Sequence, residues 1–149
     1  MLAGKWTYRS FRNDPALIGD DSGRALALIL AEGVLDFDEE QDGRFTGGLG
    51  LGSGYALALS GTVADDGFTI TGVGLDGTAM AGWRYDYRGM AAPSWPDAKD
   101  PAPCLLGTLI RVKAHGPNSP AGYTASFIAV RQPRETKASS RRARPLMAQ

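Results

Sequence analysis

The residues of this chain with the clearest chemical potential are aromatic. From Gly82 to Gly89 the chain reads Gly-Trp-Arg-Tyr-Asp-Tyr-Arg-Gly, so aromatic and charged residues alternate. Side chains alternate between two faces in an extended strand, which puts Trp83, Tyr85 and Tyr87 together. Such rings combine a flat apolar surface with a polar group that needs a partner when buried. The segment therefore predicts a half-buried strand whose aromatic face contacts a small, partly apolar or amphipathic ligand.

Aromatic residues elsewhere in the chain are expected to join this face. The predicted ligand-binding residues are Trp6, Tyr8, Tyr55, Trp83, Tyr87, Trp95 and Tyr123. Aromatic rings line small-molecule pockets, but they can also fill a barrel completely, and both alternatives stay open. Trp95 lies in a long loop, 90–103, which we expect to gate the pocket. The alternative for Trp95 is an anchor for an oligomer contact.

Glu32 is the one carboxylate that alternation with Leu26, Leu28 and Leu30 places on an apolar face. Burial favours the protonated form of a carboxylate, so such a residue can act as a general acid or base. The predicted catalytic pair is Glu32 with Tyr85, in a cofactor-free cyclase or isomerase. The alternatives for Glu32 are a bulge that turns it outward or a salt bridge.

Other reactive residue types are scarce. His115 is the only histidine and Cys104 the only cysteine, which excludes an internal disulfide framework. One histidine alone builds neither a His-based metal site nor a Ser-His-Asp triad, so we predict no metal and no cofactor. We interpret His115 as a surface loop residue and Cys104 as a small buried hydrophobe.

Short strands must position these residues, because no convincing amphipathic helix of ten or more residues occurs. We predict eight strands, near 4–12, 25–38, 44–51, 55–63, 68–73, 80–89, 105–114 and 123–131. Asp-Gly pairs between several of them indicate hairpin turns. The predicted fold class is all-β, a single closed eight-stranded antiparallel up-and-down barrel, since closure removes exposed edges. The lumen of such a barrel is filled by side chains or holds one small ligand.

Composition divides the 149-residue chain into a barrel domain, 1–131, and a tail, 132–149. From Arg131 onward there are six basic residues and one acidic residue, with prolines and serines but no aromatic residue. This composition predicts a disordered, solvated tail, and we do not expect a nucleic-acid partner.

The apolar content of the chain predicts no membrane partner. No apolar run approaches the length of a membrane helix, and the start lacks the apolar segment of a secretory signal. We therefore expect a cytoplasmic protein, with a mature secreted form as the alternative.

Three motifs resemble the avidin/streptavidin-type barrels of the calycin group. They are Gly4-Lys5-Trp6, the hairpin segment 42–47 and Gly82-Trp83, and the resemblance covers roughly residues 4–130. It implies an eight-stranded barrel in which aromatic side chains box a small apolar ligand, with Trp6 and Trp83 in that box. Allene oxide cyclases and small bacterial polyketide cyclases share similar barrels, so binder and enzyme both stay open. A third hypothesis is a plugged barrel that forms a homo-oligomer through its outer face.

Overall fold

The predicted barrel is confirmed in the computed structural model, which describes residues 2–99 and 102–133. The strands are β1 (Gly4–Arg12), β2 (Ile29–Phe37), β3 (Arg44–Gly52), β4 (Tyr55–Ala64), β5 (Gly67–Gly74), β6 (Arg84–Ala91), β7 (Cys104–Arg111) and β8 (Thr124–Arg131). Each strand pairs antiparallel with its neighbours in the chain, and β8 pairs with β1 to close the barrel. Most of the predicted disordered tail, from 134 to 149, lies outside the described residues. No helix in the described part of the chain has the length and apolarity needed to cross a membrane.

The barrel has two ends, named here after residues that lie at them. The Trp6 end carries the start of β1 and the connections 38–43, 65–66 and 92–103. The His115 end carries the connections 13–28, 53–54, 75–83 and 112–123. Because the strands run up and down in chain order, every second connection returns to the same end.

Alternation along each strand decides which side chains fill the barrel. In β1, Trp6, Tyr8 and Ser10 are buried, whereas the intervening Lys5, Thr7 and Arg9 are exposed. In β6, Tyr85 and Tyr87 face inward and are buried. The exposed Arg84 pairs with Asp86 outside, at 3.2 Å. The predicted two-faced strand is therefore correct for its tyrosines.

Inward-facing glycines make room for inward-facing aromatic rings. The cross-strand pairs are Gly33 with Tyr8, Gly47 with Phe37, Gly61 with Phe45, Gly89 with Phe68 and Gly107 with Phe127. A Cβ atom placed at Gly61, Gly89 or Gly107 would lie only 2.6–2.7 Å from the paired ring. At these three positions the ring therefore occupies the space over the glycine, and this packing closes the middle of the barrel.

The second predicted strand begins too early. Residues Ser22–Leu28 form a 3-10 helix, and Asp21 caps it by accepting a hydrogen bond from the Gly23 backbone N–H at 3.0 Å. Leu26, predicted to face the core, is 78% exposed. A local cap thus competes successfully with the alternating leucine pattern.

The alternative of a bulge at Glu32-Gly33 is also wrong. The pairing of β1 with β2 is regular from Gly4 opposite Phe37 to Ser10 opposite Ala31, and the only irregularity there lies between Ser10 and Phe11. From Ala31 to Phe37 the inward positions of β2 are therefore odd-numbered, so Glu32 faces outward.

Candidate functional site

The middle of the barrel is filled by the protein's own rings, including Tyr8 and Tyr87, two of the predicted ligand contacts. Their rings meet edge to face at 6.5 Å, and each lies 5.8 Å from the ring of Phe127. The void left among these side chains has a volume of about 10 Å³. That volume is about enough for one water molecule, so a ligand has no room there.

Burial also fixes the protonation of these two tyrosines. It raises the pKa of the Tyr8 hydroxyl, and it raises the pKa of Tyr87 well above the ordinary value of 10.0. Both hydroxyls therefore stay protonated at neutral pH, and they act as hydrogen-bonding groups rather than bases.

Trp6, also predicted to contact a ligand, closes the Trp6 end instead. Its indole N–H donates a hydrogen bond to the Leu2 carbonyl at 2.8 Å, and the ring is 2% exposed. The Arg131 guanidinium lies 5.2 Å from the centre of the same ring. These contacts satisfy both the polar group and the π-face of the indole.

Three more of the predicted ligand contacts lie at the His115 end, together with the predicted catalytic Tyr85 and with two residues that were not predicted to belong to the site. The resulting set, called the His115 cluster, comprises Tyr55, Trp83, Tyr85, Arg111, His115 and Tyr123. His115 is stacked on Trp83 with 3.5 Å between ring centres and an angle of 3°. Tyr55, which is 42% exposed, lies 6.3 Å from Trp83.

Backbone hydrogen bonds in two connections hold the stacked rings in place. In the connection 75–83, the Trp83 backbone N–H donates to the Met80 carbonyl at 2.9 Å, and the Gly74 N–H donates to the Trp83 carbonyl at 2.8 Å. In the connection 112–123, the His115 N–H donates to the Ser119 carbonyl at 3.1 Å. The stack therefore joins two connections that have no strand pairing with each other.

Tyr85 links the stacked imidazole to a buried arginine. The Arg111 Nε–H donates to Tyr85 Oη at 3.0 Å, and His115 Nε2 lies 2.9 Å from the same oxygen. Tyr85 Oη accepts from Arg111, and its hydrogen bond with His115 Nε2 runs in either direction, depending on which ring nitrogen of the imidazole carries the proton.

Arg111 makes the cluster electropositive. It is the last residue of β7 and is only 7% exposed. Its Cζ atom lies 5.6 Å and 5.0 Å from the ring centres of Tyr85 and Tyr123. Burial, and secondarily the positive charge of Arg111, lower the pKa of His115 below its ordinary value of 6.5. His115 is therefore neutral at pH 7.

Besides Trp6, Tyr8 and Tyr87, two further predicted site residues lie outside this arrangement. Glu32 is on the outer surface, 2.8 Å from Arg9, with a side chain that is 55% exposed. Its predicted inward orientation is wrong, and the alternative of a salt bridge is confirmed. The burial on which a predicted acid–base role depended is therefore absent. Trp95 is 75% exposed in the connection at the Trp6 end. The predicted loop 90–103 begins too early, because β6 runs to Ala91. Its described residues, 92–99 and 102–103, lie at the opposite end from the His115 cluster and cannot gate it.

Arg111 and His115, the two site residues that the sequence analysis missed, differ in whether the sequence carried a signal for them. Arg111 continues the inward alternation of Leu105, Gly107 and Leu109, so its parity alone was a usable signal. His115 had none, because its position depends on how the connection 112–123 folds back. The interpretation of His115 as a loop residue is confirmed, but the residue is half-buried against Trp83 and Tyr85 rather than freely exposed on the surface.

Comparisons with known proteins give no relative for this barrel. No protein-family model matches the chain, and no curated protein or solved structure matches it either. Within the described residues, no group of three or more His, Cys, Asp or Glu side chains is placed to hold a metal ion. The geometry of the His115 cluster is therefore the basis on which a function is assigned.

Proposed function

We propose that the protein binds a small, planar, partly apolar molecule at the His115 end of the barrel. The observation that carries this proposal is the parallel stack of His115 on Trp83, at 3.5 Å and 3°. In this stack the half-buried Trp83 face already accommodates a flat ring. His115 is held by a connection rather than by a strand, so a planar ligand can displace it or extend the stack.

Exposed apolar residues at the same end support the proposal. Leu26 is 78% exposed, Leu75 47%, Tyr55 42% and Val112 40%, and all four lie on connections or strand ends there. Exposed apolar side chains, where they lie together, are typical of ligand-binding and interaction sites. At the Trp6 end, Trp6 and Leu2 are buried.

The test uses two flat probes, the neutral 2-naphthamide and the charged 2-naphthoate. NMR follows the indole N–H signals of the three tryptophans and the ring signal of His115. We expect at least one probe to shift the signals of Trp83 and His115, while the buried Trp6 signal stays unchanged. Trp83→Leu should abolish the effect on His115, and Trp95→Phe, at the opposite end, should preserve it. If neither probe moves the Trp83 signal, or if the His115 response survives in Trp83→Leu, the proposal fails.

A cofactor-free cyclase or isomerase at the same end is the second candidate, favoured by the 2.9 Å contact between Tyr85 and His115. This pair would supply the acid–base help that the predicted Glu32 and Tyr85 pair cannot. An extract of small metabolites incubated with the protein would then yield a product of unchanged mass and new chromatographic retention. The product should form with the wild type and not with His115→Gln; its absence with both would count against an enzyme.

Three expectations from the sequence stay predictions. The relation to avidin-type barrels, the cytoplasmic location and a homo-oligomer formed through the outer face are compatible with a closed barrel. Sedimentation of the purified chain would measure its oligomeric state directly.

A further inference from the structure

Arg111 is unusual because a buried charge normally has a charged partner. The only buried polar or charged residues in the described chain, apart from aromatic residues, are Ser10 and Arg111. The ion pairs found there are Arg9 with Glu32 and Arg84 with Asp86, both on the outer surface. No described carboxylate therefore lies within ion-pair distance of Arg111, whose charge is met only by neutral groups.

The hydrogen bonds of Arg111 leave part of its guanidinium available. Nε donates to Tyr85 Oη at 3.0 Å, and Nη1 donates to the Pro120 carbonyl at 3.2 Å. A guanidinium carries five N–H groups, so three of them have no acceptor among the described residues. These three are on Nη1 and Nη2, the edge that pairs with the two oxygens of a carboxylate.

A second buried polar group lies toward the same end of the barrel. Ser10 faces inward two residues before the end of β1 and is 1% exposed. The Ser10 Oγ atom has no partner of good hydrogen-bond geometry among the described residues. It is nevertheless close enough to Tyr8 to reduce the rise in the pKa of the Tyr8 hydroxyl. A buried hydroxyl without a well-formed hydrogen bond is costly, which favours a bound molecule or water beside it.

We propose that the His115 end binds an aromatic carboxylate, with Arg111 as the residue that holds its carboxylate group. This inference rests on the proposed function and names the class of ligand. The flat part of the molecule lies against Trp83, and the carboxylate accepts hydrogen bonds from the free edge of the Arg111 guanidinium. Neutral His115 adds no second positive charge that would need compensation.

The experiment compares the affinities of 2-naphthoate and 2-naphthamide, which have the same shape and differ in charge. A charge-assisted pair with buried Arg111 should make naphthoate bind about tenfold tighter or more. In Arg111→Met this preference should fall to about twofold or less, since the apolar side chain keeps the volume but not the charge. The matched control is Arg88→Met, because Arg88 is exposed on the outer face of β6. It should keep the wild-type preference.

The outcomes separate this inference from the proposed function. Equal affinities in the wild type would overturn the carboxylate inference while leaving a binding site for flat molecules intact. A naphthoate preference that persists in Arg111→Met would overturn the role of Arg111. Binding of neither probe would overturn both proposals. The wild-type comparison stands even if Arg111→Met folds poorly, and the buried Trp6 indole signal reports the folding of each variant.

Discussion

At the scale of single residues, the site depends on one charge that the interior does not neutralise. Arg111 is surrounded by rings and a carbonyl, and the imidazole of His115 lies one hydrogen bond away through Tyr85. A second positive charge there would be repelled. The protonation of His115 therefore reports directly on the electrostatics of this end of the barrel.

We expect the pKa of His115, measured from the NMR signal of its ring, to lie below 6.5. The unfolded chain then binds a proton at this residue more readily than the folded chain does. The free energy of unfolding should fall as the pH drops below about 6.5, and this fall should be smaller in His115→Gln. In Arg111→Met the pKa should rise, because one of its two lowering causes is gone.

Thermal unfolding between pH 7 and pH 5 gives the comparison of the wild type with His115→Gln. Since the chain has one histidine, the NMR signal needs no assignment. A pKa at or above 6.5 in the wild type, or one that does not change in Arg111→Met, would contradict the described electrostatics.

At the scale of elements, glycines and rings are matched across neighbouring strands. A Cβ at position 107 would lie 2.1 Å from the Arg88 carbonyl oxygen and 2.7 Å from the ring of Phe127. Position 50, also within a strand, faces outward, and a Cβ placed there would have no atom within 4 Å. The same substitution at these two sites therefore separates packing from the general effect of glycine.

Gly107→Ala should lower the free energy of unfolding by roughly 1–3 kcal/mol, the usual cost of overfilling a packed core. Gly50→Ala should be neutral or stabilise the protein by up to about 1 kcal/mol, since alanine reduces the freedom of the unfolded chain. Urea unfolding of both variants measures the two changes. Equal losses in the two variants would show that the glycine–ring pairs do not set the packing.

The strands themselves were largely predictable, and their boundaries less so. Alternation located β1 and the inward tyrosines of β6 because burial on one face imposes a period of two. The alternation failed at residues 25–28, where a cap at Asp21 favours a 3-10 helix. It also failed at Glu32, because the prediction placed the even-numbered residues of β2 inside the barrel and Glu32 lies outside. Ring stacking between separate connections, as with Trp83 and His115, carries no periodic signal at all.

At the scale of the whole molecule, closure brings the first and last strands together. β1 pairs with β8 from Trp6 opposite Arg131 onward, and the Gln132 backbone N–H donates to the Lys5 carbonyl at 2.9 Å. Residues separated by most of the chain are therefore neighbours at the Trp6 end. The pairing of β1 with β8 is therefore long-range. The turn at 65–66, in contrast, is a local link between β4 and β5, which already pair with each other.

A circular permutant that joins Gln149 to Met1 and opens the chain between Asp65 and Asp66 should fold to the same barrel. Its melting temperature should fall by on the order of 2–8 °C, corresponding to about 1–2 kcal/mol for a longer closure. Near-UV circular dichroism checks the aromatic packing. A permutant opened between Phe127 and Ile128, inside β8, should fail to fold. Loss of structure in the first permutant would show that the 65–66 turn is required for the fold.

Because side chains fill the middle of the barrel, no channel runs through it from one end to the other. A molecule held at the His115 end has rings beneath it and must leave by the route through which it arrived. A change that only narrows this route and leaves the bound state unaltered slows arrival and departure by the same factor. Residence time then lengthens while the equilibrium dissociation constant stays the same.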